Sequence, residues 1–188
     1  MWEDVKGARA LCEFDAVCCI KRAGIEWPED FHIWAGLHPE FMADYTARRR
    51  AKGLPCGFEN AAPPDSELGD AGKRAKNIQH RISYRWPGMN ASAGSGIYGA
   101  KVMMHLGYRV VLAGVPMDFQ PHAMPHEKWG QGQWLGRDGF MKGFEIATRH
   151  LLGHCKSMSG VTRDVLGVPT PDWLRAGRPG SYRQADPS

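Results

Sequence analysis

Apolar positions along this chain fall into short blocks separated by glycine and proline, and their periods predict alternating strands and helices. Asp15–Ile20 is a short run rich in β-formers and reads as a buried strand. Ala23-Gly24 and Trp27-Pro28 then break the chain. Phe31–Gly36 alternates large and small residues and predicts a second strand. A helix is expected from His38-Pro39-Glu40, with Pro39 near its first position and Phe41, Met42 and Tyr45 at helical spacing. Arg48–Lys52 would form its last turn, where cations suit the negative end of the helix dipole. Residues 53–79 carry no apolar period and read as a flexible insertion, a lid or a disordered surface segment.

The second half is more legible. His80–Trp86 alternates as a strand would, and Asn90–Gly96 is a turn of small residues. Ile97, Ala100, Val102, Met103 and Leu106 predict a helix closed by Gly107, and Tyr108–Val115 is a strongly apolar strand ended by Pro116. Helix, glycine stop and buried strand together form the αβ half of a parallel βαβ unit. Met117–Gln133 is irregular. Arg137–Gly153 predicts a helix, Cys155–Met158 a short strand, and Val161–Leu166 a short helix capped by Ser159 or Gly160. Pro169–Leu174 reads as a turn and 175–188 as a tail. The expectation is therefore a Rossmann-like α/β domain over residues 1–174, with a mostly parallel sheet flanked by helices.

Composition narrows the class. With 188 residues, a core large enough to fold without covalent staples is available. The five cysteines are odd in number and lack C-x-x-C spacing, so no disulfide framework or zinc site is suggested. No stretch approaches the roughly 18–20 apolar residues that span a bilayer. The acidic start Met1-Trp2-Glu3-Asp4 does not resemble a secretion signal, so a cytoplasmic location is expected, with no membrane partner. The net charge of +4 is modest. Basic residues do gather at Arg48-Arg49-Arg50 with Lys52, at Lys73-Arg74 with Lys76, and at Arg81 and Arg85. A solvated helix end and a charged loop explain them better than a nucleic-acid face, in the absence of any nucleic-acid motif.

Three places carry candidate chemistry. At the turn Asn90–Gly96, small residues would let backbone N–H groups approach an anion at a helix N-terminus. Asn90, Ser92, Gly94, Ser95 and Gly96 are the candidate ligand-binding residues there, although neither G-x-x-x-x-G-K-[ST] nor G-x-G-x-x-G is present. A tight turn needing glycine for its geometry alone is the competing reading. Beyond the apolar strand, Asp118, His122 and His126, with Glu127, are capable of acid–base work where ligands of open α/β sheets bind. Solvated loop histidines are the competing reading. His150 and His154 stand four apart near a helix end, which is not by itself a metal site, and no metal or resident cofactor is expected.

The run that opens at Ser95-Gly96, passes Leu106-Gly107-Tyr108 and reaches Asp118 resembles that of bacterial CMP-sialic-acid sialyltransferases. It is also similar to a broader Rossmann-like family that includes hydroxymethyl-dihydropterin pyrophosphokinases. Asp15–Pro28 and Phe31–Glu40 resemble phage and prophage members of that superfamily, so the likeness covers about half the chain in two blocks. It implies a nucleotide or nucleotide-sugar ligand held by Ser95 and Gly96, and a glycosyltransferase-like transfer with His122 or His126 as general base beside Asp118. Lys21 or a loop arginine would neutralise the leaving phosphate. Two departures accompany it. The family's opening strand and Gly-x-Gly/Ala-x-Ser loop have no counterpart, as if the fold lacked its first strand or the chain were truncated before Met1. The family's Val-Asn is Ile20-Lys21 here. These departures motivate an alternative: a degenerate, non-catalytic relative acting as a phage accessory or virion-associated interaction module.

Overall fold

The computed structural model describes residues 1–118 and 137–176. The chain is α/β, with parallel strands flanked by helices. Helix α1 (Trp2–Arg9) precedes β1 (Cys18–Ile20), α2 (Ala23–Glu26), β2 (Ile33–Ala35), α3 (Met42–Ala51), β3 (Glu59–Ala62), α4 (Asp70–Lys73) and β4 (His80–Arg81). Then come α5 (Gly94–His105), β5 (Val110–Leu112), α6 (Arg137–Leu151), β6 (Cys155–Ser157), α7 (Gly160–Leu166) and α8 (Pro171–Arg175). Strands β1-β2-β3-β4 form one sheet in that order, and β5-β6 form a second. Every pairing is parallel, with Cys18 opposite Ile33, Ile33 opposite Glu59 and Val110 opposite Cys155. No described helix is long and apolar enough to cross a membrane.

The two faces of the four-stranded sheet are packed differently. One face meets α5 and α6 through a large core containing Ile33, Ala35, Ala61, Ile97, Tyr98, Phe144 and Leu151. The other closes over Cys19, Ile25, Trp27, Phe31 and Trp34. Trp34 is fully buried, edge-on to Phe31 and Phe58 at centroid distances of 5.4 and 4.8 Å. Its indole N–H donates to the Lys21 carbonyl at 2.8 Å. Gly24 must lack a side chain, because a Cβ there would lie 2.5 Å from the indole.

The reading of 53–79 as a flexible insertion is corrected. It contains β3, an interior strand between β2 and β4. The strand escaped the hydrophobic pattern because Ala61 and Ala62 are small; both are fully buried, and bulk comes from neighbouring aromatics instead. Asn60 ties the returning chain down, its amide donating to the Asn77 carbonyl at 2.9 Å and its backbone N–H to Gln79 Oε1 at 2.8 Å.

Arg49 also departs from expectation. Instead of joining a solvated basic patch it is fully buried. Its guanidinium donates to the carbonyls of Gly24 at 2.8 Å, Trp27 at 2.5 Å, Glu29 at 2.6 Å and Pro55, and lies 4.7 Å over the Phe31 ring. A planar five-donor fork can satisfy four carbonyls from three segments; an ammonium cannot.

Helices α1 and α2 were not anticipated, and the strands expected at His80–Trp86 and Tyr108–Val115 shorten to His80–Arg81 and Val110–Leu112. The helices expected near Glu40–Lys52, Ile97–Leu106, Arg137–Gly153 and Val161–Leu166 are present.

Candidate functional site

Chain order sets where a site can form. From β1 the chain adds β2, β3 and β4 successively in one direction. It then returns along α5 to β5 and adds β6. The direction of strand addition thus reverses between β1 and β5, and ligands of open α/β sheets bind outside the carboxyl ends of strands at such a reversal. A crevice of about 360 Å³ runs along β1 and β5, lined by Cys12–Ala16 ahead of β1, by Cys18 and Ile20, by Gly96, Gly99, Ala100 and Met103 of α5, by Tyr108–Ala113 and Val115, and by Trp173 and Leu174; Ser95, Lys21 and Asp118 are not among its lining residues.

Helix α5 runs antiparallel to the strands. Gly96 in its first turn lies against Val115 beyond the carboxyl end of β5, and a Cβ there would sit 2.5 Å from the valine Cγ1. A Cβ on Gly99 one turn later would meet Ile20 Cδ1, the far end of that side chain, which would have to turn aside. These glycines bring α5 down onto the strand ends and place its N-terminus, with N–H groups that have no intrahelical acceptor, at the carboxyl mouth of the crevice.

The sequence-selected turn residues divide into two groups. Ser92 Oγ accepts from the Gly94 N–H at 3.0 Å, a local bond that shapes the turn, and Gly94 has φ of 85°, a conformation that favours glycine. Asn90 is exposed. Ser95 is 6% exposed, and its hydroxyl has no hydrogen-bond partner among the described residues. The turn is also a packing site, because Gly143 of α6 sits over it. A Cβ on Gly143 would lie 2.8 Å from the Ala91 oxygen and 2.7 Å from the Ser92 carbonyl carbon. Gly143 was not singled out from the sequence, and a lone glycine inside a helical pattern was its only signal.

Lys21 stands just past β1 with φ of 48°, which turns the chain away at the sheet's carboxyl edge. It is exposed by accessible area, yet surrounding protein lowers its ammonium pKa through desolvation. Asp118 follows β5 and is half-buried. His122 and His126 lie outside the described residues.

A second polar group lies off the crevice and was missed from sequence. Glu67 accepts from Ser83 Oγ at 2.6 Å and from the Tyr84 N–H at 3.0 Å. Lys101 of α5 is 6% exposed, donates to the Arg85 carbonyl and lies 4.8 Å from the Trp86 ring centroid. Burial pushes its pKa down to about 8, against a smaller opposing pull from Glu67. His150 stacks on Trp86 at 5.8 Å, and desolvation followed by the charge of Lys101 lowers its pKa. This group fastens the segment after β4 to α5. Among the described residues no three His, Cys, Asp or Glu side chains gather as a metal site. The thiols of Cys18 and Cys155 are pushed up to about 12 by burial, so neither is an activated nucleophile.

Comparison with known proteins adds no identification: no family model, no curated protein and no solved structure matches the chain.

Proposed function

We propose that this chain binds the phosphate-bearing part of a nucleotide or nucleotide-sugar at the carboxyl mouth of the crevice between β1 and β5. The observation that carries this reading is the first turn of α5, which sets a buried Ser95 hydroxyl, without a partner among the described residues, beside N–H groups that have no intrahelical acceptor. Lys21, at the end of β1, is the cation on the same edge. Ser95 would donate to a phosphate oxygen, the helix terminus would supply further donors, and Lys21 would offset charge. Asp118, which follows β5, would do acid–base work in a glycosyltransferase-like reaction, with His122 and His126 as its partners by sequence.

The test is a thermal-shift titration with CMP, CDP, UDP, GDP, ATP and CMP-sialic acid, alongside the matching nucleosides. A ligand confined to the folded state adds about 2.7 kcal/mol at one hundred times its dissociation constant. A shift with nucleotide but not nucleoside, lost in Ser95→Ala and weakened in Lys21→Ala, is the expected result. Equal shifts for nucleoside and nucleotide, or none at all, would remove the phosphate site. The strand edges along the same crevice, unpaired among the described residues, favour a second reading, a non-catalytic interaction module.

A further inference from the structure

The segment that follows β4 is fastened by three other elements, and each fastening ends in an ionisable group. Trp86 and Met89 are buried and close a turn on each other. The Met89 N–H donates to the Trp86 carbonyl at 2.9 Å, and the Trp86 N–H to the Met89 sulfur at 3.4 Å. From the loop beyond β3, Glu67 accepts from Ser83 and from the Tyr84 N–H, and lies 3.9 Å from the Arg85 guanidinium. From α5, Lys101 donates to the Arg85 carbonyl and sets its ammonium 4.8 Å from the Trp86 ring centroid. From α6, the His150 imidazole stacks on the same ring, with centroids 5.8 Å apart and planes 13° from parallel.

One indole thus serves an ammonium and an imidazole. Its electron-rich ring attracts a cation, and Lys101 already supplies one. A proton on His150 would add a second positive charge near the first, at a contact where protein has displaced much of the screening water. Among the described residues the charged groups that act on the imidazole are Lys101 of α5 and Arg149 of its own helix, both cations. Glu67 and Arg85 meet around the segment itself. Desolvation, then Lys101 and Arg149, hold the imidazole pKa below its ordinary 6.5, so the neutral ring is the form that the stack accepts.

The same helix reaches the turn that opens α5. Gly143 packs on Ala91 and Ser92, and His150 follows it by about two helical turns on the same face. One face of α6 therefore holds both the Trp86–Met89 turn and the Asn90–Gly96 turn into which it leads.

We propose that His150 is an acid-sensitive latch: protonation of its imidazole releases Trp86 from α6 and loosens the Trp86–Met89 turn ahead of α5. The released imidazole takes up its proton near pH 6.5, and the stacked one only at lower pH. The stacked state is therefore fully favoured above 6.5 and loses ground as pH falls below it. Lys101 stays charged throughout that range, since its own pKa is about 8. The latch needs no ligand and does not depend on the phosphate reading.

The test follows backbone hydrogen exchange residue by residue in the full chain, without ligand, while NMR titrates the His150 imidazole. Exchange is compared at pH 7 and one unit below the measured imidazole pKa, after correction for the intrinsic effect of pH. The expected result is at least about tenfold faster corrected exchange at the Tyr84, Trp86 and Met89 amides in acid, with β2 and β3 unchanged. His150→Gln, which can cover the ring but takes up no proton, should exchange slowly at both pH values. His150→Arg, charged at both, should exchange fast at both. Lys101→Met should move the His150 pKa back toward 6.5, which a lysine without charge contact would not do. Acid loosening of equal size in the parent and His150→Gln overturns the latch. So does unchanged exchange in a parent whose imidazole is shown to be protonated.

Discussion

The four-stranded sheet and the two-stranded sheet use the same parallel geometry but are stabilised by different means. Around β1–β4, interior groups converge on one another. Trp34 is boxed by Phe31, Phe58 and Tyr45, and Arg49 cross-links α2, the segment after it and the loop beyond α3 through four carbonyls. The β5–β6 pair contributes Val110, Leu112 and Cys155 to the shared core and meets β1–β4 through helices instead of hydrogen-bonded strands. A region locked by a polar cross-link inside an aromatic box resists change, whereas a region fastened by helices can present an edge. The candidate site lies at the seam between the two, where a scaffold borders a less constrained element.

The sharpest way to break this contrast is Arg49→Ala. It leaves four carbonyls without their donor and opens a cavity over Phe31, so a loss of about 3–5 kcal/mol is expected in urea unfolding. Arg49→Lys should recover only part of it, because a single ammonium cannot replace the fork. An Arg49→Ala protein as stable as the parent would show that the cross-link is not what distinguishes this region.

The seam is probed next. Gly99→Val forces a side chain into Ile20, and Gly96→Ala forces one into Val115, each expected to cost about 1–3 kcal/mol. Ile20→Ala made together with Gly99→Val should restore part of the loss. Strict additivity in that double-mutant cycle would mean the helix does not rest on β1 as described.

Lys101 provides a pH test. Its pKa falls to about 8 from the ordinary lysine value of 10.5, so the unfolded chain binds more protons between those values. Stability contributed through this group therefore rises as pH climbs from about 8 to 10.5. Relative to Lys101→Met, the parent should gain about 1–3 kcal/mol across that window. Parallel stability curves for the two proteins would contradict a buried, desolvated ammonium.

The smallest effect is expected at Arg9 and Glu29. Their two contacts, 2.7 and 2.5 Å, join largely exposed side chains. Solvent and salt screen such a pair, so Glu29→Gln should barely move the unfolding midpoint.

How much of this was legible in the sequence depended on whether local pattern and tertiary role coincided. Helix α5 and strand β5 were legible because a repeating apolar face, a glycine stop and a β-branched run are local consequences of burial. Strand β3 was hidden because alanines fill the space left by distant aromatics. In Arg49 a charged residue in a basic run gave no local sign of the carbonyls it would meet. At the site, the glycine-rich turn was located correctly as a junction of turn and helix, but its glycines do two jobs that spacing cannot separate. Gly94 serves the turn itself, while Gly96 admits Val115 across the crevice.

The sequence by itself determined the α/β class, the parallel character expected of its buried strands, and the turn that opens α5, since each follows from periods and stops within a dozen residues. Only the tertiary structure decided that the strands divide into two sheets on either side of a crevice, that Ser95 is buried with no partner among the described residues, and that Arg49 belongs to the interior. Those outcomes depend on residues far apart in the chain meeting in space, and local pattern carries no record of which distant groups will meet.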